Sequence, residues 1–281
     1  MPNHVKNKII LDGDAEQIKS LLEKFSTTYP QTESLTYDGR IICKTSDGSY
    51  GWLDKESNVF SRRDLPSVLG IPPQYEIDYV KEWTRFPDFE KVFPTPEVIK
   101  LVGDSVCSNI TNAVYAKYMH PLSDNPLLAS LEYQNRFLSE HKIKPEDELQ
   151  FERACLAYEQ TGFCYWYDFN QKNWGTKWNA YSCETLSEKE FTFETAWSNV
   201  LNIVLEISKS FEGNIVYAYA DENTGYNTGS YLICKGIVIS ELHYPGGSIG
   251  AYEMAFDLRP ELKENYRLVG DTYEYIDEDE D

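Results

Sequence analysis

The sequence predicts an α+β fold, a ferredoxin-like antiparallel sheet with helices on one face and a large inserted segment. Three observations carry this. A strand-then-helix pattern opens the chain, a second helical pattern near residue 200 stands between β-prone runs, and the stretches separating these blocks break their periodicity. Without those stretches the order is strand, helix, strands, helix, strands. That order packs the helices on one side of a sheet and leaves the other side free unless the inserted segment covers it.

The elements follow in order. Val5, Ile9, Ile10 and Leu11 make residues 4–11 a β-prone run. DGDAEQIKSLLEKF then sets Ile18, Leu21, Leu22 and Phe25 at helical spacing behind Asp14, a side chain suited to cap the first turn. From 28 to 85 short strand-like pieces are divided by YDGR, SDGS and IPPQ, and GWLDKESNVFSRR reads as a hairpin, so this segment is read as an insertion. DFEKVFPTPEVIKLV reads as extended up to Pro94 and Pro96, with Pro96 in the first turn of a short helix. Helices are expected over 105–118, over 124–141 with Leu127, Leu128, Leu131 and Phe137 on the apolar side, and over 145–161 behind Pro145. Residues 105–160 thus form a second addition.

After Gly162 the aromatic runs FCYWYDF, NWGTKWNAY and FTFETAW favour strands. A helix over 198–211 follows, with Ser198 as its cap and Val200, Val204, Ile207 and Phe211 along one stripe. NIVYAYAD and GSYLICKGIVI give two more strands around a turn containing Gly225. GGSIGA lacks both the preceding context and the GK[ST] ending of a phosphate loop, so Gly246, Gly247 and Gly250 are expected in a flexible turn. Residues 1–273 read as one elaborated domain and 274–281 as a flexible acidic tail.

With 281 residues, 41% of them hydrophobic, the chain buries a core without disulfides or metal. A formal charge of −20 argues against non-specific nucleic-acid binding, because duplex phosphates are repelled by most of the surface. No run of 18 uncharged apolar residues and no signal-like start are present, so a cytoplasmic protein with no membrane segment is expected. The six cysteines are dispersed without a CxxC pair, which points to free thiols packed as small apolar groups. No cofactor and no metal site is expected.

MPNHVKN at the start, FEKVFPTPE in the middle, the run from Tyr165 through Tyr181 and the following TAWS resemble a family of phage and plasmid proteins that includes YubB-like and Api-type sequences. The resemblance implies a ferredoxin-like domain and a mobile-element origin, hence the cytoplasm of a host cell. It brings no catalytic residue with it.

If 173–181 is a strand, Trp174, Thr176, Trp178 and Ala180 share one face, and the two tryptophans are a core device beside a bulge at Gly175. The opposite face then offers Lys177 and Asn179 as donors. Alternation in neighbouring strands brings His4 and Lys6, Tyr217 and Tyr219, or Tyr231 and Lys235 toward the same surface. A mixed aromatic and cationic face of this kind stacks a base and holds a phosphate; the plain alternative is a solvated or covered face. His4 offers acid–base chemistry and Pro2, once Met1 is removed, a secondary amine, while Glu146, Asp147 and Glu148 read as a helix-start charge set.

No catalytic signature emerges, and whether the protein is an enzyme stays open with the weight toward no. The leading expectation is a non-catalytic binding protein of a mobile element that antagonises host defence by binding a host protein or a small anionic nucleotide ligand. The alternatives are a nucleotide-processing enzyme using His4 or Pro2 with Lys177, and a structural phage component.

Overall fold

Val5, Asn7, Ile9 and Leu11 alternate with the partly exposed His4, Lys6, Lys8 and Ile10 along strand β1 (His4–Asp12), so the first strand has one buried face and one polar face. The computed structural model describes residues 3–37, 40–44, 50–54, 60–62, 80–118, 130–140 and 143–276. Helix α1 (Ala15–Phe25) begins as the sequence predicts: the Asp14 carboxylate accepts from the Glu16 and Gln17 amides, and Gln17 returns a bond to the Asp14 amide. Ile18, Leu21 and Phe25 form its buried stripe.

The chain divides into two compact units, one containing the residues up to Phe93 and from Trp174 onward, the other Pro94–Asn173. In the first unit, strands β2 (Thr27–Tyr37), β3 (Arg40–Lys44), β4 (Tyr50–Asp54), β5 (Phe60–Arg62) and β6 (Val80–Arg85) form a separate five-stranded antiparallel sheet in the order β5-β4-β3-β2-β6. The expected hairpin at GWLDKESNVFSRR is present, with Gly51 opposite Arg62. Beyond it the run expected to be extended up to Pro94 instead contains a helical turn, α2 (Phe89–Val92), while the short helix expected behind Pro96 is present as α3 (Glu97–Lys100). Asp88 caps the first through the Glu90 amide, and Pro96 occupies the cap of the second, one position before the first turn.

The second unit carries α3, α4 (Ser108–Tyr118), α5 (Leu131–Glu140), α6 (Glu148–Thr161) and α7 (Trp166–Asn173). Ile99, Val102, Ile110, Val114, Ala154, Cys155, Cys164 and Phe169 are its core. Pro145–Asp147 opens α6 as a single 3-10 turn, and Gly162 closes it in the left-handed conformation. Leu127 and Leu128, predicted for the middle helix, lie outside the described residues.

The aromatic run FCYWYDF does not form a strand. Its second half is α7, in which Phe169 is buried, and Gly175 with φ +79° follows that helix as a C-terminal stop. NWGTKWNAY is correspondingly the end of a helix and an irregular crossing, with strand structure resuming at Tyr181. The alternation of faces expected from Trp174 to Tyr181 therefore does not exist.

Strands β7 (Tyr181–Thr185) and β8 (Glu190–Ala196), helix α8 (Leu201–Ser208) and strand β9 (Asn214–Asp221) complete the main sheet with β1. Val200 rather than Ser198 is the residue before α8; Val200, Val204, Ile207 and Phe211 are buried as predicted. GSYLICKGIVI is not one strand but two, β10 (Thr228–Cys234) and β11 (Ile237–His243), because Lys235 and Gly236 both take positive φ and close a two-residue hairpin. The sheet order is β11-β10-β9-β1-β8-β7, all antiparallel. Its β9-β1-β8-β7 portion, with α1 and α8 as crossovers, is the ferredoxin-like layout.

α1 and α8 cover the face carrying Val5, Ile9, Phe193, Ile215 and Tyr217. The stretch GGSIGA, expected as a flexible turn, is partly helix: Ser248 caps α9 (Ile249–Leu258) through the Ala251 amide, and Gly250 lies within the helix. α9 sets Ala255 and Leu258 on Ala218 and Ala220, so a helix of the same domain covers part of the opposite sheet face. The hairpin β12 (Tyr266–Val269) with β13 (Thr272–Tyr275) follows. Of the expected acidic tail, residues 277–281 lie outside the described residues.

Trp174 is 4% exposed, packs edge-on against Phe89 and donates its indole N–H to the Phe93 carbonyl at 3.0 Å, whereas Trp178 is only partly buried. Trp174→Ala is expected to destabilise the protein by about 3–5 kcal/mol in urea unfolding and Trp178→Ala by markedly less. Equal losses for the two would contradict this packing.

Candidate functional site

The sheet separates the residues that the sequence reading grouped together. Because Ile9 pairs with Tyr217 and Asn7 with Tyr219, the two tyrosines lie on the helix-covered face, with Tyr231 beside Tyr217 on β10. The three rings form a ladder with centroids 6.1–6.3 Å apart, and all three are buried. His4 and Lys6 alternate to the other face, so no surface joins them to the tyrosines. Lys235 stands in the β10–β11 turn, paired with Glu212 at 2.6 Å. Asn179 serves as a strut: its amide donates to Asp88 at 2.7 Å and its carbonyl oxygen accepts from the Phe89 and Ala180 amides. Pro2 lies outside the described residues, and Glu146, Asp147 and Glu148 sit at the start of α6 as a helix-start set does.

On the face of His4 and Lys6, the rows run Tyr181–Glu194–Lys6–Ala220 and Glu184–Thr192–Lys8–Ala218 across four strands. α9 covers the alanines, and the remainder is a groove of about 360 Å³ rimmed by Asp257 and Arg259. Its cations are matched by carboxylates: Lys6 with Glu184 at 3.6 Å, Lys8 with Asp257 at 2.6 Å and Glu190 at 3.5 Å, Arg259 with Glu194 at 3.4 Å. An anion entering here competes with these partners, so the groove is a poor phosphate site.

At one end of the sheet His4 meets Tyr181, a residue outside the predicted set. His4 Nδ1 and the Tyr181 hydroxyl are 2.7 Å apart, and Arg259 donates to the His4 carbonyl oxygen at 3.2 Å. Burial holds the Tyr181 hydroxyl well above the ordinary tyrosine range, with Glu194 and Glu222 adding to the shift, so the phenol stays neutral. At the same end the Trp197 amide donates to the Asn3 carbonyl oxygen, and Lys177 Nζ lies 4.7 Å from the Trp178 ring centroid and 5.5 Å from that of Trp197.

Trp197 was not singled out from the sequence. It is 42% exposed and takes φ +68°, a conformation that costs a bulky residue of order 1–3 kcal/mol. The signal was the position of TAWS directly after a strand and before a helix, where the chain must reverse. The candidate site is therefore Lys177, Trp178 and Trp197, beside His4 and Tyr181, held by the end of β8 and the start of β1.

Cys107, Cys155, Cys164, Cys183 and Cys234 are free thiols. Among the described residues no three His, Cys, Asp or Glu side chains cluster as metal ligands, and no helix is long and apolar enough to cross a membrane.

A family model described as the ferredoxin-like domain in Api92-like protein matches residues 177–259, from Lys177 to Arg259. This stretch is similar to that domain, which supports the Api-type likeness read from the sequence. No curated protein and no solved structure matches the chain.

Burial pushes the Cys164 and Cys183 thiols and the Tyr219 hydroxyl up to about 12, and the Tyr217 hydroxyl well above its ordinary value. The folded chain keeps these protons after the unfolded chain, with ordinary values of about 8.5–10, has lost them. Their contribution is thus complete below about pH 8.5 and falls as pH rises toward 12. Urea midpoints are expected to decline through that alkaline window, with Tyr219→Phe declining less. A flat profile for the parent protein would refute the burial-driven shifts.

Proposed function

We propose that this is a non-catalytic binding protein whose ligand is a planar anion, a nucleotide in chemical class, seated at Lys177, Trp178 and Trp197. The observation that carries the reading is an ammonium held over two indole rings, one of them 42% exposed. An exposed indole stacks a base, and the adjacent ammonium supplies a charge-assisted bond to a phosphate. The likeness to YubB-like phage and plasmid sequences frames the biology: a mobile-element protein that sequesters a host nucleotide signal and so antagonises defence.

Calorimetric titration with a panel of nucleotides and cyclic dinucleotides tests this. Lys177→Ala is expected to leave the melting midpoint nearly unchanged and to weaken the ligand by about 1.5–3 kcal/mol, tenfold or more. Trp197→Gly removes the ring and relieves the left-handed strain, so the midpoint is expected to hold or rise while stacking worth about 1–3 kcal/mol is lost. If no panel member binds the parent protein, the nucleotide reading fails and a host protein takes its place. Enzymatic conversion of a bound nucleotide would refute the non-catalytic part.

A further inference from the structure

A second, unrelated groove of about 900 Å³, open to solvent, lies along the flank of α1. Ala15 and Leu22 line it at i, i+7 spacing with the edge of the buried Ile18 between them, an apolar strip about 10 Å long. Lys91 from α2, Lys189 from the turn between β7 and β8 and Lys19 from α1 line the same space with Glu188 and Glu23; Lys19 stands 3.9 Å from Glu23 in a pair exposed to solvent, unlike the largely buried Lys6 and Lys8 of the first groove. In a chain of net charge −20, a groove with three lysines and two carboxylates reverses the overall sign. Two of the ammonium groups are steadied by backbone: Lys91 donates to the Ser26 carbonyl oxygen, and Lys189 to the Gly13 carbonyl oxygen at 2.9 Å. An ammonium has three donors, so each bond to a carbonyl leaves donors for an anion.

We infer that this groove binds an amphipathic anion, with a medium-length alkyl chain on the Ala15–Ile18–Leu22 stripe and a carboxylate or phosphate headgroup among Lys19, Lys91 and Lys189. A purely polar anion leaves the stripe wet, and a neutral alkane leaves the lysines unused. The occupant is a free molecule rather than a membrane lipid, because a surface of net charge −20 is repelled by an anionic bilayer.

Calorimetric titration of the full chain with decanoate, decanol and inorganic phosphate tests the assignment, with sedimentation against phosphatidylglycerol vesicles as the second arm. One decanoate is expected per chain, bound about tenfold or more tighter than decanol, with phosphate alone weaker still and no co-sedimentation. Lys19→Ala, which removes no bond to backbone, is expected to weaken decanoate about threefold to tenfold. Ala15 is exposed at the start of α1, so Ala15→Glu places a carboxylate on the stripe without entering the core and is expected to abolish binding. Absence of decanoate binding, equal affinity for decanol, or unchanged binding in Ala15→Glu would overturn the proposal. Co-sedimentation that Ala15→Glu abolishes would overturn the free-molecule source in favour of a membrane lipid.

Discussion

The fold depends on the buried amide of Asn7. At 0% exposure in the middle of the central strand, it donates to the Val5 carbonyl oxygen at 2.8 Å and to Thr195 Oγ1 at 2.9 Å. Its own oxygen accepts from the Tyr217 hydroxyl at 2.7 Å, and that hydroxyl accepts from the Val200 amide at 2.8 Å. One side chain thus ties β1 to β8, to β9 and to the start of α8. Leaving any of these groups unsatisfied costs about 1–3 kcal/mol, and a one-residue slip would bury Lys6 and Lys8 while expelling Ile9. The network selects the register, and the register decides which side chains face outward.

With the register fixed from so few contacts, the connection between α1 and β7 can be long. Loop-closure cost grows only slowly with length, provided the ends of the added segment are held together. Both additions meet that condition. The first begins and ends in paired strands, with Thr27 opposite Arg85. The second leaves the main unit at Phe93 and returns at Trp174, whose indole donates to the Phe93 carbonyl oxygen. Trp174 therefore serves as core and as clasp, and the aromatic residues of NWGTKWNAY divide into packing and surface roles by position rather than by alternation.

What was legible in the sequence was local. The run from β1 through α1 reads correctly because alternation, capping box and helical stripe agree with one another. The stretch 163–181 misled because aromatic content favours strands, yet α7 gains its place by burying Phe169 in a helical core, and tertiary packing outweighs a preference of that size. Gly175 carried the correct signal: a glycine after a helical turn stops a helix as readily as it bulges a strand. Lys235-Gly236 similarly encoded a hairpin inside what looked like one strand, and Ser248 encoded a helix start inside what looked like a loop. The grouping of His4 and Lys6 with the tyrosines failed for a different reason. Which faces coincide depends on strand pairing between residues some two hundred positions apart, and no local pattern carries that pairing.

Trp197 shows how the same register creates an exposed feature that the fold does not need. The chain leaves β8 at Ala196, and the turn into α8 is closed by backbone and hydroxyl groups: the Trp197 amide on Asn3, Thr195 Oγ1 on the Ser198 carbonyl oxygen, and Thr176 Oγ1 on the Ala196 carbonyl oxygen. None of these bonds uses the indole. A glycine would meet the φ requirement at least cost, and an asparagine at little more. An indole at this position instead adds strain and leaves much of a large apolar ring in solvent, next to the Lys177 ammonium. Strain of this kind persists only where surrounding structure enforces it, and it concentrates where a protein meets its ligands. The three bonds around the turn supply the enforcement, which is why the exposed ring, rather than the buried tyrosine ladder, is the place to look for function.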